Sequence, residues 1–175
     1  MKKSISLWQW FGFLFVCVAG TALHYVYDWT GESVFAAAFS GVNESVWEHM
    51  KILFFPMLVF AILQGCFWRE QANFWSVKAL GVLAGLVSIP VLFYTVNGAF
   101  GKTPGWLNIT IFFASAAVAF FLEYLLFKKE LPKCKYHGWG ILVLGALALV
   151  FVIFTFATPE LPLFRDPLTG TYGVG

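Results

Sequence analysis

Residues 40–68 read SGVNESVWEHMKILFFPMLVFAILQGCFW. The second part, Ile52 to Trp68, runs 17 residues without a charge, whereas the eight residues before it hold Glu44, Glu48, His49 and Lys51. A helix needs about 20 mostly apolar residues to cross about 30 Å of hydrocarbon. The apolar run reaches that length only if its polar leader is helical too, so the stretch reads as a membrane span with an ionisable cap at its mouth.

The same count picks out Ser4–Tyr27, Ala79–Gly101, Thr103–Leu122 and Gly138–Pro159. Five spans are therefore expected, at about 5–27, 46–68, 77–99, 105–127 and 137–158, with an irregular tail over 159–175. The expected fold is an all-α integral membrane protein, a bundle of five transmembrane helices in one domain over residues 1–175. Composition agrees: 60% of residues are hydrophobic and 11% charged, against about half and a quarter in ordinary soluble domains. No segment shows the two-residue alternation of a membrane barrel. The N-terminus, MKKSISLWQWFGFLFVCVAG, opens like a signal peptide, but its apolar stretch outlasts a signal core of about 7–15 residues and is expected to be a retained span. A net charge of +2 is too small to argue for nucleic acid, and Cys17, Cys66 and Cys134 form neither a disulfide framework nor a zinc module.

Cytoplasmic loops of membrane proteins are enriched in Lys and Arg. Lys2 and Lys3 precede span one, Arg69 follows span two, and Lys128, Lys129, Lys133 and Lys135 lie between spans four and five. Those ends are expected inside, the C-terminal tail outside, and the protein in the cell membrane. Lys78 reads as snorkelling from the inner end of span three, and Glu123 as its counterpart on span four beside Lys128 and Lys129. His137 reads as an interface histidine. Residues 34–39, VFAAAF, are too short to span and too apolar for an open loop, which suggests a re-entrant or interfacial segment.

Ionisable groups at a membrane edge are costly and mark a site by default. Ser45 and Glu48 fit a capping box, and acids suit a helix N-terminus, which alone accounts for part of the cluster. At about 100° per residue, a helix through this segment puts Glu44, Glu48 and Lys51 on one stripe and Ser45 and His49 on a neighbouring one. His24 and Asp28 share a face at the same end of span one, so the two groups can meet across one groove. Asn97 and Asn108 lie at that depth on spans three and four. Arg165 and Asp166 in the tail can fold back as a lid, with Arg165 offering its fork to a carboxylate. His24, Glu44, Glu48 and His49 have the chemistry of ligands for a divalent metal, although no spacing matches a ligand motif. Haem held by His24 and His49 ranks last.

The stretch YDWTGESVFAAAFSGVNESVWEHMKILFFPML and the tail PLFRDPLTGTYG resemble DUF6512, a bacterial family of small multi-pass membrane proteins of unknown function. The resemblance covers essentially the whole chain, and its most distinctive part is Asn43, Glu44, Ser45, Trp47, Glu48, His49 and Lys51. It implies a bacterial, multi-pass membrane setting and no particular activity. The residues themselves suggest an outward-facing acidic, His and Lys site that binds a small ligand, a metal ion or a partner. A membrane-embedded, metal-dependent hydrolase or transferase acting on a lipid or headgroup is the alternative, and an ion or solute transporter the next. The bilayer is the expected partner, with a second copy or another membrane protein as candidates beside it.

Overall fold

The computed structural model describes residues 2–68, 71–101, 104–132 and 138–174, with side chains from Ser4 onward. The elements are α1 (Lys2–Trp29), α2 (Val34–Ala37), α3 (Val46–Phe67), α4 (Phe74–Phe100), α5 (Gly105–Lys128) and α6 (Trp139–Phe156), followed by one 3-10 turn at Pro162–Phe164. The described residues contain no strand, and five of the helices are long and apolar enough to cross a membrane. Arg69, Lys102, Lys133, Cys134, Lys135 and His137, with the side chains of Lys2 and Lys3, lie outside the described residues.

Helix α3 starts where its capping chemistry dictates. Ser45 is extended (φ −67°, ψ 156°) and its Oγ accepts the Glu48 N–H at 3.3 Å, removing one of the helix's unsatisfied donors. The reciprocal half of the capping box does not form. The Ser45 N–H donates to Asn43 Oδ1 at 2.9 Å, and the Glu48 carboxylate accepts from Val42 N–H at 3.1 Å instead. Glu44 therefore precedes the helix, and the single stripe of Glu44, Glu48 and Lys51 expected from helical periodicity does not exist.

Helix α1 packs against α3 and α5, while α4 packs against α5, α3 and α6. Leu53, Phe54, Val82 and Ala116 fill the middle. The outer faces carry Phe67, Phe100 and Leu142, each more than 70% exposed. Apolar display on this scale is a liability in water and ordinary against acyl chains. The apolar segment at residues 34–39 holds a single four-residue turn, α2, with Ala36 and Ala37 buried beneath exposed Val34 and Phe35.

Two ion pairs are sealed inside. Lys51 Nζ lies 2.6 Å from Glu48 Oε2, 2.8 Å from the Ala37 carbonyl and 2.9 Å from Thr155 Oγ1. Its three N–H donors thus have three acceptors, on α3, the residue ending α2, and α6. The second pair corrects the snorkelling expectation. Lys78 and Glu123 do not reach for an interface but meet each other at 2.6 Å, both essentially without exposure. A Cβ on Gly81 would overlap the Glu123 side chain, so that glycine makes room for the carboxylate. The rings of Phe60, Phe74, Phe120 and Phe127 surround the Lys78 ammonium at 5.3–5.9 Å, within the range where a ring face attracts a cation. Once the two charges neutralise each other inside, neither gains by extending to the surface.

Removing one partner of a buried pair costs about 3–5 kcal/mol, whereas replacing both by apolar groups of similar volume is neutral or favourable. Lys78→Met is accordingly expected to lower the melting temperature sharply in detergent, and the double variant Lys78→Met/Glu123→Leu to recover most of the loss. Equal damage in the single and double variants would contradict a sealed pair.

Candidate functional site

The site is built at the end of the bundle where α1 finishes and α3 begins. Glu44, on the linker just before the Ser45 cap, projects its carboxylate between two imidazoles. His24 Nε2 lies 3.1 Å from Glu44 Oε1 and His49 Nε2 lies 3.8 Å from Glu44 Oε2, with the ring centroids 5.6 Å apart. His49 Nδ1 is 2.9 Å from the Ser45 carbonyl oxygen. A carbonyl only accepts, so Nδ1 carries the hydrogen and a neutral His49 presents a bare Nε2 lone pair toward Glu44. The loop is held to α1 by the Gly41 N–H, which donates to the Leu23 carbonyl at 3.2 Å.

The C-terminal tail completes the enclosure. Phe164 stacks on Trp47 at 4.6 Å, and Trp47 meets Phe151 of α6 at the same distance. Beyond that anchor the chain doubles back, with Arg165 bridged antiparallel to Tyr172. Asp166 closes the turn, its Oδ1 accepting the Leu168 N–H at 2.7 Å, while Oδ2 accepts the Glu44 N–H at 3.5 Å. Asn43 Nδ2 donates to the Gly173 carbonyl at 3.1 Å. Gly173 has φ +64°, and a side chain there would also run into Thr158, so only glycine seats the tail end comfortably. Arg165 does not act as the expected fork: it is exposed and pairs with no carboxylate among the described residues.

Two cavities share His24 and Glu44 as a common wall. One, of about 270 Å³, is polar; Asp28, Asn43, Asp166, Thr169 and Thr171 face it. The other, of about 290 Å³, adds His49, Asn97 and Asn108 to the apolar surfaces of Phe93, Ile109, Pro167 and Leu168. No Lys or Arg is among the described residues of either wall. Asn108 Oδ1 is buried without a hydrogen-bond partner, and Asn97 donates its Nδ2 to the Phe93 carbonyl at 2.8 Å.

Of the residues singled out in the sequence, His24, Asp28, Glu44, His49, Asn97, Asn108 and Asp166 line these cavities. Ser45 acts beneath the site, as the helix cap and as the carbonyl that orients His49. Glu48 and Lys51 are buried against each other and face neither cavity. Among the described residues, no three His, Cys, Asp or Glu side chains converge in a way that could hold a metal ion. Between the two Nε2 atoms lies the Glu44 carboxylate rather than a slot for haem. Sequence reasoning missed Thr169 and Thr171, whose hydroxyls lie 2.8 Å apart, and Phe93. Only the tail's fold brings the threonines here, and Phe93 looks like any other aromatic of an apolar span.

The hydrogen bond from His24 holds the Glu44 carboxyl below the usual carboxylate range; partial burial opposes it, and the positive charge of His24 and His49 assists. A carboxyl depressed in the native state contributes stability that is complete above the unfolded value of about 4.3 and lost as pH falls through the native value. Thermal unfolding of the wild type is therefore expected to lose stability below about pH 4.5 more steeply than that of Glu44→Gln. Parallel pH profiles would contradict the His24–Glu44 contact.

No curated protein and no solved structure shows significant similarity to the chain. A family model described as "Family of unknown function (DUF6512)" matches residues 1–174, and the chain belongs to that family.

Proposed function

We propose that the protein is a bacterial cell-membrane receptor or accessory protein, one transmembrane domain over residues 1–175, that binds a small ammonium-bearing ligand at the outer rim. The Lys and Arg bias supports an inside N-terminus and an outside tail. That bias strengthens once Lys51 and Lys78, sealed in ion pairs, are dropped from the count of loop charges. Five apolar helices with lipid-compatible outer faces support the membrane setting.

The observation that carries the ligand class is a convergence of acceptors. Glu44 Oε2, the His49 Nε2 lone pair and the unpartnered Asn108 Oδ1 belong to one cavity of about 290 Å³ whose described walls hold no Lys or Arg. These acceptors gather where the described walls hold no cation, and a primary ammonium supplies three donors. Nε2 of His49 is 3.8 Å from Glu44 Oε2, too long for a direct hydrogen bond, and both atoms can accept from one donor placed beside them. Phe93 and Leu168 offer apolar cover for the carbon chain of an amine, and the polar cavity behind Glu44 adds Asp28 and Asp166 to the local negative field.

In nanodiscs, n-hexylammonium is expected to bind saturably, with 1-hexanol failing to compete. A hydrogen bond to a charged group is worth about 1.5–3 kcal/mol, so Glu44→Gln should weaken binding by at least about tenfold. Asn108→Leu should weaken it less, having lost a neutral acceptor. Equal binding of the alcohol, or indifference to both substitutions, would sink the proposal.

A further inference from the structure

A third cavity lies far from the rim. It is a lateral groove of about 350 Å³ between α1 and α5, where Trp10 and Phe13 face Phe120, Phe121 and Tyr124. Gln9 lines it as well. From Gln9 to His24 is 15 positions along one helix, about 22 Å at 1.5 Å per residue. Trp10 and Phe121 at its mouth are each 63% exposed, so on a membrane-spanning helix the groove opens to the acyl chains.

Gln9 makes this more than a furrow between helices. Its side chain is 95% buried; its amide nitrogen faces the Glu123 carboxylate, while its amide oxygen has no hydrogen-bond partner. A buried polar group left in that state costs about 1–3 kcal/mol. Glu123 lies behind Gln9 and interacts with it. A carboxylate oxygen can be served only by a donor, which on Gln9 is the nitrogen. With that bond in place, the amide oxygen is a buried, unmet acceptor on a residue that lines the aromatic groove. Lys78 cannot serve it, since its ammonium is committed to Glu123 inside the cage of phenylalanines.

We propose that this groove is a binding site for an uncharged, membrane-soluble ring compound bearing a hydroxyl, a phenol or hydroquinone, whose O–H donates to Gln9 while its ring stacks among the aromatic side chains. Three features select that class. The unmet atom requires a donor. The Lys78–Glu123 pair neutralises itself and asks for no charged ligand. The aromatic walls favour a flat ring over a flexible chain. Ligand entry from the bilayer follows from the lateral opening.

The test uses the full chain in nanodiscs with 2-bromo-4-hexylphenol, whose bromine quenches an indole in contact with it, and its methyl ether, which fills the same volume without a donor. The phenol is expected to quench tryptophan fluorescence saturably, and the ether about tenfold more weakly, as one hydrogen bond to a buried acceptor predicts. Gln9→Leu should bring the phenol down to the ether's level, and Trp10→Phe should remove most of the saturable quench. Quenching that rises linearly and alike for phenol and ether would mean ordinary partitioning beside an exposed tryptophan, and overturns the proposal. So would a saturable quench that survives Trp10→Phe, or a co-purifying phospholipid that the phenol fails to displace. The comparison of phenol with ether needs no variant, so poor folding of Gln9→Leu would not rescue the idea.

Discussion

The ammonium of Lys51 sets the architecture of the tail end of the bundle. A charge without water must find an acceptor for every N–H, and Lys51 finds Glu48, the Ala37 carbonyl and Thr155. Those contacts tie α3 to the turn α2 and to α6 at one point. The turn at residues 34–37 is too short to hold itself as a helix, and the lysine takes a carbonyl that its end leaves open. The same contacts pull Glu48 inward and leave Glu44, four residues earlier, as the glutamate that meets the histidines.

The polar groups inside this protein fall into two kinds, and the distinction decides which of them are candidates for function. Lys51 is saturated, its three donors meeting Glu48, the Ala37 carbonyl and Thr155, and no cavity of the rim reaches it; Lys78 and Glu123 neutralise each other among the phenylalanines. A saturated buried pair does not need a ligand, and its worth is measured by what its loss exposes. His49 Nε2, Asn108 Oδ1 and the amide oxygen of Gln9 are unsaturated, on residues that line open volume. An apolar solvent offers such atoms nothing, so whatever occupies those volumes is selected by the missing donor or acceptor. The two cavities thus differ in chemistry: the rim gathers acceptors beside a carboxylate, while the groove holds one unmet amide oxygen beside rings.

Much of the architecture was legible in the sequence, because in lipid the length of an uncharged run is itself a structural statement. The five long apolar helices follow from that rule, as does the meeting of His24 with Glu44 at one end. What periodicity could not supply was the position of the helix start. One residue, Ser45 as cap, removes Glu44 from the helix and separates it from Glu48, which a 100° wheel had placed on the same stripe. Lys78 and Glu123 were misread for a related reason. Their positions along the chain are those of snorkelling residues, and only the packing of α4 on α5, with Gly81 vacating space, makes burial together the better solution. The tail's threonines had no local signal, since their place depends on Phe164 docking against Trp47, more than a hundred residues away in sequence.

That docking makes a chamber of what would otherwise be a pair of histidines at a helix end. Without the tail, Glu44 and His24 would face open solvent, where an exposed ion pair is worth little and selects poorly among ligands. With it, Asp166 accepts the Glu44 N–H, Asn43 holds the Gly173 carbonyl, and Leu168 lays apolar surface beside His49. The local dielectric falls, and the electrostatics of Glu44 and the buried Asp166 gain strength accordingly. The tail is held by Phe164, buried in the core against Trp47 and Phe154, by one short turn and by hydrogen bonds across to the linker. Roof and floor are thus both fastened to the bundle, the roof through the burial of Phe164 and the floor through Lys51.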